Sequence, residues 1–232
     1  MDGKHVAINP PPNSGSYYWN YKGFNSVVLL ALANANYEFL MCDVGTNGRV
    51  SDGGVLNNTK FGQALVDEEL KIPNPSIPAQ STTCLPYVFI GDEAFAFRRD
   101  FLKPFPQKDL TQERRVFNYR LSRARRVIEN VFGIMCARFG VFSRPIHLKV
   151  ENIQKIVLSC CVLHNFLRKK CSSTYSPELN EDLTDIGSVE INMVQLQRTF
   201  TRNPAQEAKE VRNKFMTYFN TEGALSWQND NV

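Results

Sequence analysis

Hydrophobic positions along this chain fall into two regimes, short runs first and helical stripes later. Residues 5–8 alternate enough for a short strand, which the prolines at 10–12 end. Residues 26–33 (SVVLLALA) and 38–44 (EFLMCDV) read as buried strands joined by a tight turn at 34–37, a hairpin. Three early strands, antiparallel neighbours, are therefore expected. A loop rich in Gly, Asn and Asp leads into a helical segment at 55–71, and residues 72–86 form a Pro/Ser/Thr-rich surface connection. Residues 87–90 make a short apolar strand, followed by a short helix at 93–98, with no fifth strand before the long helix.

That helix occupies 111–139. Phe117, Leu121, Ala124, Ile128, Val131, Met135 and Phe139 recur at a helical period and predict one buried stripe. Thr111 offers a hydroxyl to an orphan N–H at the start. A second stripe, Asn118, Ser122, Arg125, Glu129 and Gly133, is polar. A further helix at 151–170 is expected to bury Ile153, Ile156, Val157, Cys160, Leu163 and Leu167, with His164 as a hydrogen-bonded core histidine. Residues 171–203 are polar and read as loop-like. Pro204 opens a last amphipathic helix with Val211, Phe215, Met216 and Phe219 on its buried face.

Composition adds little until its distribution is considered. At 232 residues with 43% apolar, the chain can bury a proper core, and its net charge of +4 is too small to prove a nucleic-acid partner. Residues 98–126, however, carry ten Lys/Arg against three Asp/Glu, so the positive field is local. Six cysteines without a CxxC framework suggest free thiols in a reducing compartment. Cys160, Cys161 and His164 lack a second ligand pair with zinc-site spacing, so no structural zinc is expected. The sequence has no signal-peptide pattern, and no apolar run approaches the roughly 20 residues of a membrane span.

Four acids stand where chemistry is feasible. Asp2 begins the first strand, Asp52 precedes the helical segment at 55–71, and Asp92 follows the strand at 87–90. In open α/β sheets, ligand-contacting residues cluster at such strand ends. Glu129 is the only acid between Arg114 and Arg138, within a turn of Arg125 and Arg126. Each has a plain alternative: a frayed carboxylate, a turn or helix cap, or an ion pair. Together they can hold hard divalent cations, since Mg²⁺ takes a few carboxylates and keeps waters. Two such ions can activate a nucleophile and stabilise the leaving oxygen of a phosphodiester. Arg123, Arg125 and Arg126 are the candidate contacts to a phosphate backbone.

Several longer motifs occur together and in order: Asp2-Gly3-Lys4-His5, NYKGFNS (20–26), VGTNGRVSDGG (44–54), GDEAF (91–95), FNYRLSRARRVIENVFG (117–133) and LHNFL (163–167). This set resembles the DDE endonuclease domain of PIF/Harbinger transposases and the nucleases derived from them. The likeness covers residues 2 to about 170, and YFNTEGALSWQ (218–228) is similar to the family's end. The resemblance implies an α/β, ribonuclease H-like mixed sheet flanked by helices. It implies a DDE endonuclease domain over 1–170, a polar segment at 171–203, and a helix and tail at 204–232 packing on the domain. It points to Asp2, Asp92 and Glu129 as catalytic residues and Asp52 as a further metal ligand, with Mg²⁺ or Mn²⁺ as cofactor. Arg125 would support Glu129 or contact phosphate. DNA is the implied substrate, a Myb-like DNA-binding protein the implied partner, and the nucleus, with the cytoplasm besides, the implied location.

Family members carry a long N-terminal region with a helical DNA-binding segment before the part that resembles this chain. The first strand is accordingly expected to be truncated and Asp2 to be loosely held. Two function classes follow: a metal-dependent nuclease, or a DNA- or protein-binding module without cleavage. A small-molecule phosphatase is disfavoured, since no GxxxxGKS-type phosphate loop occurs.

Overall fold

In the computed structural model, β1 (Asp2–Ala7), β2 (Ser26–Ala33) and β3 (Phe39–Asn47) form the expected antiparallel meander. The structure describes residues 1–48, 52–108, 110–171, 175, 193–195 and 206–229, and the backbone alone at 52, 53 and 193–195. The hairpin turn is set by Asn34, whose Oδ1 accepts the N–H groups of Asn36 (2.9 Å) and Glu38 (3.1 Å). Tyr37 completes the turn at φ 61°. β2 is buried on both faces, which explains its unbroken apolar run.

β6 (Met193–Gln195) pairs antiparallel with β1, giving the order β3-β2-β1-β6 and making β1 an interior strand. It is a strand within the segment expected to be loop-like; the rest of 171–203, apart from Cys171 and Tyr175, lies outside the described residues, as does Pro204.

The chain divides into two compact units: Asp2–Val55 with Val127–Gln197, and Met1 with Leu56–Arg126 and Arg198–Val232. α3 (Gln112–Arg138) contributes its first half to the second unit and its second half to the first.

In the first unit, Val6, Val27, Leu29 and Ala31 of the meander pack with Ile128, Val131, Phe132 and Met135 of α3 and with Ile153, Val157, Cys160 and Cys161 of α4 (Val150–Lys170). A 3₁₀ turn at Gly140–Ser143 joins the two helices, burying Phe142. His164 is buried, with Nδ1 2.8 Å from the Tyr175 hydroxyl and Nε2 2.7 Å from the Tyr37 carbonyl. Leu163 is 48% exposed, contrary to the expected stripe, because His164 takes the inward position beside it.

In the second unit, Leu102, Phe105, Phe117 and Leu121 form the core, with Val211, Phe215, Met216 and Phe219 of α5 (Gln206–Asn220) packed against it. Ala124, placed on the buried stripe by its spacing, is exposed. The stripe serves two cores, 116–121 in one unit and 128–135 in the other, and Ala124 falls between them.

Three further expectations are corrected. The helix at 55–71 is two short ones, α1 (Asp52–Asn58) and α2 (Lys60–Val66). Thr59 breaks it: its hydroxyl donates to the Leu56 carbonyl (2.8 Å) and accepts the Gly62 N–H (2.9 Å) as an N-cap. A fifth strand does exist, as β4 (Phe89–Ile90) pairs in parallel with β5 (Phe101–Leu102). Two residues are too few for periodicity to reveal. The parallel pairing thus lies in a separate two-stranded sheet, while the four-stranded sheet is antiparallel throughout. Residues 93–98 form turns rather than a helix. Lys103 Nζ takes the Glu93 and Phe95 carbonyls, each at 3.2 Å, which a helix would use internally.

Candidate functional site

Asp2 opens β1 opposite Ala31 and is 1% exposed, with its Oδ1 accepting the Gly3 N–H at 2.9 Å. Alternation along β1 puts Asp2, Lys4 and Val6 on one face. That face meets the second half of α3: Val6 packs in its core cluster, and Lys4 Nζ lies 5.7 Å from the Phe132 ring centre. The opposite face carries His5, whose Nδ1 is 2.8 Å from Ser26 Oγ, which in turn accepts from Asn20 Nδ2 at 3.0 Å. Burial, helped by Lys22, pushes His5 down to about 4. This neutral, core-bound histidine ties two of the quoted motifs, DGKH and NYKGFNS, into one structural network.

Glu129 belongs to the same unit as Asp2 and is half-buried on α3. Asp52 is the first residue of α1, and its side chain lies outside the described residues.

Asp92 sits in the other unit, two residues past β4 and 8% exposed. Its Oδ1 accepts the Ala94 N–H at 2.9 Å, which fixes the carboxyl. Gly91 is obligatory beneath it, because a Cβ there would lie 2.7 Å from the buried Phe95 ring and overlap Phe101. In the same unit, the Met1 ammonium donates to the Ile90 carbonyl at 2.6 Å. Lys103 clamps the Asp92 turn through the two carbonyls already named. Burial holds it below the ordinary lysine range and Arg212 adds to that, while Glu93 and Asp92 oppose it. Sequence reasoning missed Lys103; its position just after β5 was the available signal, and β5 itself was not foreseen.

The arginines of α3 divide in role. Arg123 stacks on Trp227 with its guanidinium carbon 4.3 Å from the ring centre, while Arg125 and Arg126 are half-buried. A cavity of about 480 Å³ in the second unit is lined by Leu65, Leu70, Ile72, Tyr87 and Val211 among others, and not by Asp2, Asp92 or Glu129.

The profile of the family described as DDE superfamily endonuclease matches residues 1–165. The chain belongs to this family. Its match takes in all four candidate acids and ends within α4, so α5 lies outside it. Among relatives, "Protein ALP1-like" of Arabidopsis thaliana is 25% identical over 171 residues, 72% of this chain and 42% of its own length. "Putative nuclease HARBI1" of Mus musculus is 27% identical over 164 residues, 69% of this chain and 43% of that protein. Its Homo sapiens counterpart is 26% identical over 168 residues, 71% and 44% of the two chains. The chain thus spans less than half the length of these curated relatives. No solved structure matches it significantly.

The four candidate acids offer hard oxygen, which suits Mg²⁺ or Mn²⁺ rather than a metal that prefers thiolates. The half-buried Cys136 and buried Cys160 thiols have the opposite character: desolvation raises Cys136 to about 12 and Cys160 to about 11. Among the described residues, no three His, Cys, Asp or Glu side chains are grouped as a metal site, and no helix is long and apolar enough to cross a membrane.

Proposed function

We propose that this chain is a metal-dependent DNA endonuclease of transposase ancestry, built on a ribonuclease H-like fold. The observation that carries the reading is the family match over 1–165, within which Asp2 is a buried carboxylate on the interior strand, Asp92 follows a later strand, and Glu129 stands on α3. An antiparallel meander with its first acid on an interior strand, covered by the helix bearing the glutamate, supports the fold assignment.

In this reading Asp2, Asp92 and Glu129 hold Mg²⁺ or Mn²⁺, with Asp52 as a further ligand. The metal, when bound, supplies Lewis-acid stabilisation and an activated water. The protein's own residues do the positioning. The Asp2 backbone is fixed by the β1–β2 ladder, the Asp92 carboxyl by the Ala94 amide, and its turn by Lys103. Arg125 and Arg126 hold backbone phosphate beside Glu129. Location in the nucleus, with the cytoplasm besides, and a Myb-like partner supplying sequence recognition belong to the same proposal and rest on family resemblance.

The second reading is a binding module without cleavage, in which the fold and the basic helix α3 persist. Titrating Mn²⁺ into the chain and into an Asp92→Ala, Glu129→Ala double variant separates the two. The nuclease reading expects thermal stabilisation and nicking of supercoiled DNA by the parent only. Stabilisation without nicking would favour the binding module, and neither effect would leave the chain without a working site.

A further inference from the structure

The second unit holds two cations against one aromatic ring, with a third two residues before it; Lys103 and Arg114 come from the basic stretch 98–126, Arg212 from α5. Arg212 of α5 lies with its guanidinium carbon 3.9 Å from the Phe105 ring centre and 4.3 Å from that of Phe97. Arg114, in the first turn of α3, lies 5.0 Å from the same Phe105 ring. Lys103 precedes this ring by two residues, and its nitrogen is held at the Glu93 and Phe95 carbonyls.

Among the described residues no carboxylate forms an ion pair with Arg114 or Arg212. The Arg212 Nε is buried without a hydrogen-bond partner, and Nη1 reaches only the Pro104 carbonyl, at 3.4 Å. The acids nearby act on two members: Glu93 and Asp92 on Lys103, and the exposed Glu113 carboxyl on Arg114, which leaves Arg212 without one. Burial and the neighbouring Arg114 push Arg212 down to about 10. The two guanidinium charges on one ring repel each other, and an anion between them would relieve that repulsion.

We propose that Arg114 and Arg212, stacked on Phe105 and joined by Lys103, form a phosphate-binding site that takes a DNA backbone phosphate near Asp92. The DNA part rests on the endonuclease reading; the phosphate chemistry does not. Guanidinium forks suit phosphate oxygens, and the aromatic platform pre-orients them.

The test is binding of a fluorescent duplex to the full chain in EDTA, where no cleavage occurs, across about 50 to 200 mM salt. Arg114→Gln changes an exposed side chain, and Arg212→Lys keeps the charge while losing the fork. Lys155→Gln, exposed on α4, is the control. Arg114→Gln should flatten the log–log salt slope by about 0.9 and weaken binding on the order of fivefold. Arg212→Lys should weaken binding with little change of slope, and Lys155→Gln should match the parent. Equal slopes and affinities for parent and Arg114→Gln would overturn the proposal. If the parent binds no duplex, inorganic phosphate decides: a Tm rise in the parent that Arg114→Gln loses upholds the phosphate site and sinks the DNA reading. No rise in the parent would sink both.

Discussion

Asn165 on α4 bonds both backbone groups of Phe39 at the start of β3: its Oδ1 accepts the Phe39 N–H and its Nδ2 donates to the Phe39 carbonyl, each at 2.8 Å. One side-chain amide thus pairs with the backbone of β3, an edge strand among the described residues, and docks the helix on the sheet. With His164 on the Tyr37 carbonyl, it gives the LHNFL motif a structural reason. Asn165→Ala should cost about 1–3 kcal/mol, since two backbone groups lose their partner. Leu163→Ala, at an exposed position, should stay within about 0.5 kcal/mol. Urea midpoints at constant m-value would check both.

His5 makes stability depend on pH. Its folded value of about 4 lies below the ordinary 6.5, so between these the unfolded chain binds the proton and the folded one does not. Stability therefore rises with pH through the window and is complete above about pH 6.5. The contribution of His5 to the difference between about pH 5 and pH 7 should be about 2 kcal/mol. His164, also lowered by burial, adds in the same direction. His5→Gln should shrink the difference in urea-derived stability between those two pH values, and an unchanged difference would refute the assignment.

Gly91 links packing to the candidate chemistry. A methyl group there meets the Phe95 and Phe101 rings, both fully buried and tilted at 32° with centres 5.0 Å apart. Gly91→Ala should cost about 1–3 kcal/mol by overpacking and displace the Asp92 turn. The expected signature is a lower Tm together with a weaker Mn²⁺-dependent Tm rise. A lower Tm with an intact metal response would confine Gly91 to packing.

Arg123 and Trp227 test whether the helix arginines serve structure or DNA. Their stack at 4.3 Å should show a coupling of about 0.5–1 kcal/mol in a double-mutant cycle of Arg123→Gln and Trp227→Leu, read by thermal unfolding. If Arg123 is structural, Arg123→Gln should leave the salt slope of DNA binding at the parent's value. A slope change like that expected of Arg114→Gln would return it to the phosphate contacts.

The sequence by itself determined the elements whose signal is local. The meander was legible because SVVLLALA is apolar on both faces and Asn34 carries its own turn chemistry, and α3 because its apolar positions recur from Phe117 to Phe139 along a helix of 27 residues. The motifs also led to the family, which the match over 1–165 establishes. Tertiary structure alone decided what depends on partners distant in the chain. The same stripe of α3 serves two cores, so Ala124 between them is exposed; a period cannot reveal where one core stops. β5 is two residues long and exists only because β4 lies beside it. Arg114 and Arg212 are 98 positions apart, and nothing in either neighbourhood shows that Phe105 brings them to one ring. Periodicity and turn residues act over a few positions, whereas stacking, burial and charge repulsion act through space, so the fold had to be in hand before the latter could be seen.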